Sequence, residues 1–283
     1  MINARIVVGV DGSAGSTAAV RWAAAEARLR KAELRLLTAY HRHHPGRDPA
    51  TGVRARPAAD EETASVVQAA VTQARAVAPD VEVSCLALPG YAVPVLLHAA
   101  EEAALLVVGD RGKGRFPGLP FGSVSSQVAT HARGSVVVVR GRSGVQTGPV
   151  VVGVDDGPAA SSIIGRAFEE ASLHGAALVA VTARANGGRP AGSSAEAVLG
   201  ADLDSRLDPW RERYPEVQAD REVVAGRADQ VLVQHSRQAR LVVVGPRGHG
   251  FEGLLLGAVG TRLLQRGDCP VLIARSSPPR RGS

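Results

Sequence analysis

Cysteine is nearly absent from this 283-residue chain, with Cys85 and Cys269 each alone inside a strand-like run. No CxxC pair occurs, which argues against the usual zinc modules, and two isolated thiols in a reducing compartment read as small buried hydrophobes rather than a disulfide. Aromatic residues make up only 3%, too few for the stacking platforms on which single-strand binders hold bases. Lysine is also scarce: Lys31 and Lys113 are the only two among 33 basic residues. The arginines are scattered except at Arg280-Arg281, so the net charge of +6 is a diffuse field and no specific nucleic-acid binding is expected. No apolar run approaches the ~20 residues that span a bilayer. Residues 1–5 lead straight into an apolar segment without the layout of a signal peptide. No membrane association and a cytoplasmic location are therefore expected.

What the chain does have is repetition. Ile6-Val7-Val8-Gly9-Val10-Asp11 recurs as Val150-Val151-Val152-Gly153-Val154-Asp155. Leu105 to Gly112 recurs as Leu241 to Gly248, and Val136 to Arg140 as Val271 to Arg275. Three matches in one order define two domain-sized copies, placed at 1–141 and 149–276, with a disordered tail at 277–283. The joint carries three glycines and a proline between 141 and 149.

Within the first copy, β-branched runs alternate with alanine-rich stretches. The pattern predicts strands over 5–10, 34–40, 81–88, 105–109 and 136–140, and helices over 16–31, 59–77, 91–102 and 122–131, with Ser16 as the first N-cap. The runs at 6–10 and 136–139 are continuously apolar, as in strands buried on both faces. The fold class that follows is α/β: two repeated, open, doubly wound domains, each a five-stranded parallel sheet with helices on both faces.

Such sheets bind ligands beyond the carboxyl ends of their strands. The loop after the fourth strand reads Gly109-Asp110-Arg111-Gly112-Lys113-Gly114-Arg115, continues through Gly118, and feeds a helix at Gly122-Ser123. Glycines that admit a ligand to the backbone, three cations and a helix N-terminus together make a phosphate cradle. Neither a P-loop nor a Rossmann fingerprint fits: no Gly-Lys-Ser or Gly-Lys-Thr occurs, and the glycines follow the fourth strand rather than the first.

These residues resemble the universal stress protein family. Gly109, Gly112, Gly122 and Ser123 reproduce its hallmark of Gly, two residues, Gly, nine residues, Gly, then Ser or Thr. VGVDGS at 8–13 and Gly90-Tyr91-Ala92 match its first strand and third-helix start. The resemblance covers both copies, as in tandem members. It implies a strand order of 3-2-1-4-5, ATP as ligand, and pairing of the copies along their final strands; slow hydrolysis in the first site would bring Mg²⁺ to bridge the phosphates, and whether chains further associate into a homodimer is left open. Asp11 and Ala39 would then lie against the adenine, Gly109 and Gly112 near the ribose and α-phosphate, and Gly122, Ser123 and Ser125 at the outer phosphates.

The second copy has drifted. Gly248 and Gly257 enclose eight residues, one fewer than Gly112 and Gly122. Ala258 stands in place of Ser123 and Gly260 in place of Ser125, Glu252 adds a negative charge, and Pro246 removes an amide. Asp155, Gly245, Gly248 and Gly257 are its weaker candidates. His41, His43 and His44 read as a polar connection rather than a metal site. No catalytic apparatus is legible, so the leading reading is an ATP-binding stress-response protein, at most a slow ATPase. The alternatives are a nucleotide-free adaptor and an adenine-nucleotide hydrolase or adenylating enzyme. The double glycine of the latter's pyrophosphate loop is missing from VDGSAGS at 10–16.

Overall fold

In the computed structural model, residues 5–40, 58–113, 122–144, 147–184, 194–246 and 256–275 are described. His41, His43, His44, Gly114, Arg115, Gly118, Gly248, Glu252 and the expected tail at 277–283 lie outside them. The chain divides into two compact units, Met1–Val128 and Ala129–Ser283.

Because Ile6, Val7 and Val8 have no polar neighbours to alternate with, their strand must be covered on both sides, and all three are buried. In the first unit β1 (Arg5–Gly9) pairs in parallel with β2 (Glu33–Tyr40) and with β4 (Leu105–Gly109), and β2 pairs with β3 (Val83–Pro89). The order is β3-β2-β1-β4. The linking helices are α1 (Ala14–Arg30), α2 (Ala58–Val77) and α3 (Ala92–Glu102). α1 buries Ala19, Val20, Ala23, Ala24 and Ala27, a stripe of mostly methyl side chains that lets its backbone lie close to the sheet.

Two expectations need correcting. The N-cap of α1 is Ser13, whose hydroxyl accepts the Ser16 amide at 3.1 Å. Ser16 instead turns its own hydroxyl back to the Ser13 carbonyl at 3.0 Å, as a serine inside a first turn can. Cys269 is buried, and that pushes its thiol up to about 12. Cys85 is exposed, because β3 is the outer strand of its unit.

The second unit contains β6 (Val150–Gly153), β7 (Leu178–Arg184), β8 (Ala219–Ala225), β9 (Leu241–Val244) and β10 (Val271–Ile273), in the order β8-β7-β6-β9-β10 and all parallel. This is the 3-2-1-4-5 arrangement in full. Its helices are α5 (Ala160–His174), α6 (Ser194–Arg213), α7 (Ala228–His235) and α8 (Ala258–Arg266). The six-membered ring of Trp210 of α6 packs against Gly165 of α5, which has no room for a Cβ. Tyr214 stacks between Trp210 and Phe168, so much of the sparse aromatic content sits at one helix–helix seam.

The last strand of the first sequence copy, β5 (Val136–Val139), belongs by packing to this second unit, where it pairs antiparallel with β10. The arginine after each of these strands reaches the carboxyl end of a helix. Arg275 donates to the Ala129 and Thr130 carbonyls at 2.7 and 3.1 Å, in the last turn of α4 (Ser123–His131). Arg140 donates to the Leu263 carbonyl at 2.7 Å, and to those of Gly267 and Gln265, at the end of α8. Each satisfies orphan carbonyls and places a cation at the negative pole of the helix. Burial pushes the Arg275 guanidinium down to about 10, so it stays protonated at neutral pH. Replacing Arg275 by Met keeps the bulk and removes the donors. The expected loss is about 2 kcal/mol, the worth of a charge-assisted hydrogen bond, read as a lowered midpoint in urea unfolding.

Candidate functional site

Where β1 ends, Asp11 turns the chain. Its Oδ1 accepts the Ser13 amide at 2.9 Å, and its Oδ2 accepts the Lys113 amide at 2.8 Å, across to the loop that follows β4. Ser13 adds a second tie, its hydroxyl donating to the Arg111 carbonyl at 3.2 Å. Burial alone would raise the Asp11 carboxyl, but hydrogen bonds from Ser13, the Lys113 amide and Ser16 outweigh it and hold the group below its ordinary value of 3.8.

The backbones here touch. A Cβ on Gly15 would stand 2.2 Å from the Arg111 carbonyl oxygen, and one on Gly109 would stand 2.4 Å from the Gly15 carbonyl. Neither position has room for a side chain, so the first turn of α1 and the end of β4 meet backbone to backbone. At Gly112 a Cβ would fall 2.5 Å from Asp11 Oδ2. The bareness of these glycines makes room for the protein itself.

Above this floor lies a cleft that opens to solvent. All seven residues expected at the first site line it: Asp11, Ala39, Gly109, Gly112, Gly122, Ser123 and Ser125. Leu37, Val108 and Leu96 give it an apolar wall, and Arg111 a cation. α4 opens onto it: the first intrahelical bond runs from the Ser126 amide to the Gly122 carbonyl, leaving the amides of Ser123, Val124 and Ser125 ahead of the ladder. Ser123 is exposed there. Ser125 is buried and its hydroxyl donates to the Gly109 carbonyl at 2.6 Å, pinning the helix to the end of β4. The Lys113 ammonium lies 2.8 Å from the Glu62 carboxylate, at the exposed rim.

Sequence reading missed Gly15. Its signal was small: a glycine inside VDGSAGS, between the capping serine and the one that folds back.

The second unit has a matching cleft, lined by Asp155, Gly245 and Gly257 together with Val181, Ala183, Leu232 and Ala258. The correspondence extends to the backbone. The Gly257 amide donates to the Pro246 carbonyl at 2.7 Å, as Gly122 does to Asp110 at 2.9 Å. Gly90 and Gly226 both adopt positive φ before the third helix of their copy. The Asp155 Oδ1 accepts the Gly157 amide at 3.0 Å.

The fold and these paired clefts define a tandem, doubly wound α/β protein. Universal stress protein family sequences match residues 3–140 and 147–275, and the chain belongs to that family. It is 38% identical over 300 residues to a universal stress protein of Mycobacterium tuberculosis, covering 96% of each chain. A universal stress protein of Mycolicibacterium smegmatis is 36% identical over 297 residues, covering 95% of this chain and 96% of its own. The crystal structure of a universal stress protein from Archaeoglobus fulgidus shares the fold, with a TM-score of 0.73 at 16% identity, covering 97% of this chain and 99% of its own.

The Asp11 clasp is testable by pH. A carboxyl held below its unfolded value stabilises the fold fully above about pH 4, and that contribution is lost as pH falls through the lower folded-state value. Urea unfolding of wild type and Asp11→Asn should therefore differ most at neutral pH and converge in acid. A gap that stays constant down to pH 2.5 would contradict the clasp.

Proposed function

We propose that the first unit binds an adenine nucleotide, ATP in the leading reading, and that the protein reports its occupancy in a stress response in the cytoplasm rather than turning substrate over. The observation that carries this is the convergence of all seven expected residues on one cavity that is apolar at its depth and polar at the mouth of α4. Ala39, Leu37, Val10 and Val108 suit a purine. Ser123, the first-turn amides of α4 and Arg111 suit phosphates, since a helix N-terminus and a guanidinium both favour anions.

Among the described residues lining the cavity, Asp11 is the one carboxylate, and both of its oxygens accept backbone amides. A Mg²⁺ ion accompanying the nucleotide would therefore be held by phosphate oxygens and water. No second carboxylate lines the cavity among the described residues, which fits binding better than hydrolysis. Among the described residues no helix is long and apolar enough to cross a bilayer.

The test is calorimetric titration of ATP into wild type, Gly122→Val and Ser123→Ala, with thermal unfolding to establish that each variant is folded. At Gly122 a Cβ would lie 2.9 Å from the Asp110 carbonyl and 3.3 Å from the Ser125 hydroxyl, so valine must distort the mouth of the cavity. Ser123→Ala removes one hydroxyl and no bulk. The expected result is loss of binding in the first variant and a drop of about tenfold or more in the second, the worth of one hydrogen bond to a charged group. Wild-type affinity in both folded variants would overturn the site. Failure of the wild type to bind ATP or AMP would favour the nucleotide-free adaptor.

A further inference from the structure

We propose that the outer edge of β3 docks a second copy of this chain, the two β3 strands pairing antiparallel about a two-fold axis at Cys85. Nothing in this depends on what either cleft binds.

The backbone row that such a partner needs follows from the register. The Glu82 carbonyl accepts the Leu34 amide at 2.9 Å, and the Gly90 amide donates to the Tyr40 carbonyl at 2.9 Å. Backbone groups alternate sides along a strand, so the even-numbered residues of β3 face β2 and the odd-numbered ones turn outward. β3 ends its sheet, so Val83, Cys85 and Ala87 each present an amide and a carbonyl to the outside. Pro89, the next odd position, has no amide to leave bare.

The side chains do not guard this row. Val83 to Pro89 include no charged residue, and the pairing with β2 runs without a bulge. Cys85, Leu86 and Ala87 are all exposed, Leu86 at 37%. The second copy shows the same edge guarded. β8 carries Asp220, Arg221 and Glu222 in succession, with Arg221 paired to Asp204 and Glu222 to His235. Charges along an edge are a common defence against strand-to-strand association, and of the two matching strands only β3 lacks it.

A two-fold axis at Cys85 sets Val83 of one copy opposite Ala87 of the other, and Cys85 opposite itself. Every outward amide and carbonyl of these residues is then bonded, and no other antiparallel two-fold register does so. Leu86 falls opposite Ser84, and no like charges meet across the strands. Arg75 of α2 lies near Cys85 but is exposed, and its long stem can keep the charge in water. An isologous pair of this kind closes on itself and covers the edge in both copies. A strand-to-strand contact belongs to the small class of interfaces, so the dimer is a reversible one.

The test is sedimentation equilibrium of the intact chain, with a short bis-maleimide cross-linker as a second readout, since Cys85 is exposed and Cys269 buried. The expected result is a reversible dimer at or below about 0.5 mM protein, cross-linked in wild type and not in Cys85→Ser. Ala87→Pro removes an outward amide while sparing the bonds to β2, and Leu86→Lys places a charge on the edge. Each should weaken the dimer about tenfold or more, with thermal unfolding to establish that it is folded. Val223→Pro, at the matching outward position of β8, should leave the dimer unchanged. A chain that stays monomeric over that range overturns the proposal. So does a dimer that survives both folded β3 variants, or one lost equally in Val223→Pro. Should neither β3 variant fold, the wild-type protein decides, and a dimer that does not cross-link through Cys85 overturns it.

Discussion

The first cleft depends on a place where two backbones are in van der Waals contact. Gly15 and Gly109 allow the first turn of α1 to rest on the end of β4, with the Arg111 carbonyl occupying the position a side chain would need. From that contact the rest follows in order. Ser13 is brought within reach of the Arg111 carbonyl, and Asp11 within reach of the Lys113 amide. The loop after β4 is thereby held at the mouth of the sheet, where α4 can point its free amides into the space above. Glycine is required because methyl groups would separate the layers, before any question of room for a ligand arises.

The second copy differs in its first helix. Ala159 stands where Gly15 does. α5 begins at Ala160, with Ala159 as an N-cap that offers no side-chain acceptor, whereas α1 begins two positions earlier in the repeat under a serine cap. Drift in the second copy thus reaches both ends of its cleft: the helix after the first strand has lost its cap and the helix after the fourth has lost its hydroxyls. The apolar walls between them are unchanged in kind, which is why the cavity persists while its chemistry differs.

Much of this was legible in the amino-acid order, for a physical reason. Strands buried on both faces must be apolar without interruption, so 6–10 and 136–139 could be read as strands covered on both sides, and the recurrence of 6–11, 105–112 and 136–140 marked two copies of one fold. Helix ends were legible to within a few residues, because Ser, Gly and Pro act locally. Roles were harder. The family resemblance implies Ser125 at the outer phosphates; a contact that no local pattern encodes is the one its hydroxyl makes with the Gly109 carbonyl, sixteen residues back along the chain. Cys85 sits in an apolar run but on an outer strand, and exposure there depends on sheet order, which no local pattern encodes. The helix-capping reach of Arg140 and Arg275 was equally hidden, since it follows from which strands pair.

Those two arginines explain why the packing boundary falls before the sequence boundary. A four-residue valine strand buries apolar surface only if its flanks are fixed, and β5 is fixed through β10. Val136 to Val138 pair with Ile273 to Val271, Ser135 exchanges hydrogen bonds with the backbone of Arg275, and Arg140 is anchored on the carbonyls ending α8. The repeat is therefore a unit of sequence and not a unit of packing. The strand that ends the first copy is stabilised by residues of the second, and truncation at 141 would leave its hydrogen-bonding edge and its apolar faces without the partners they have in the whole chain.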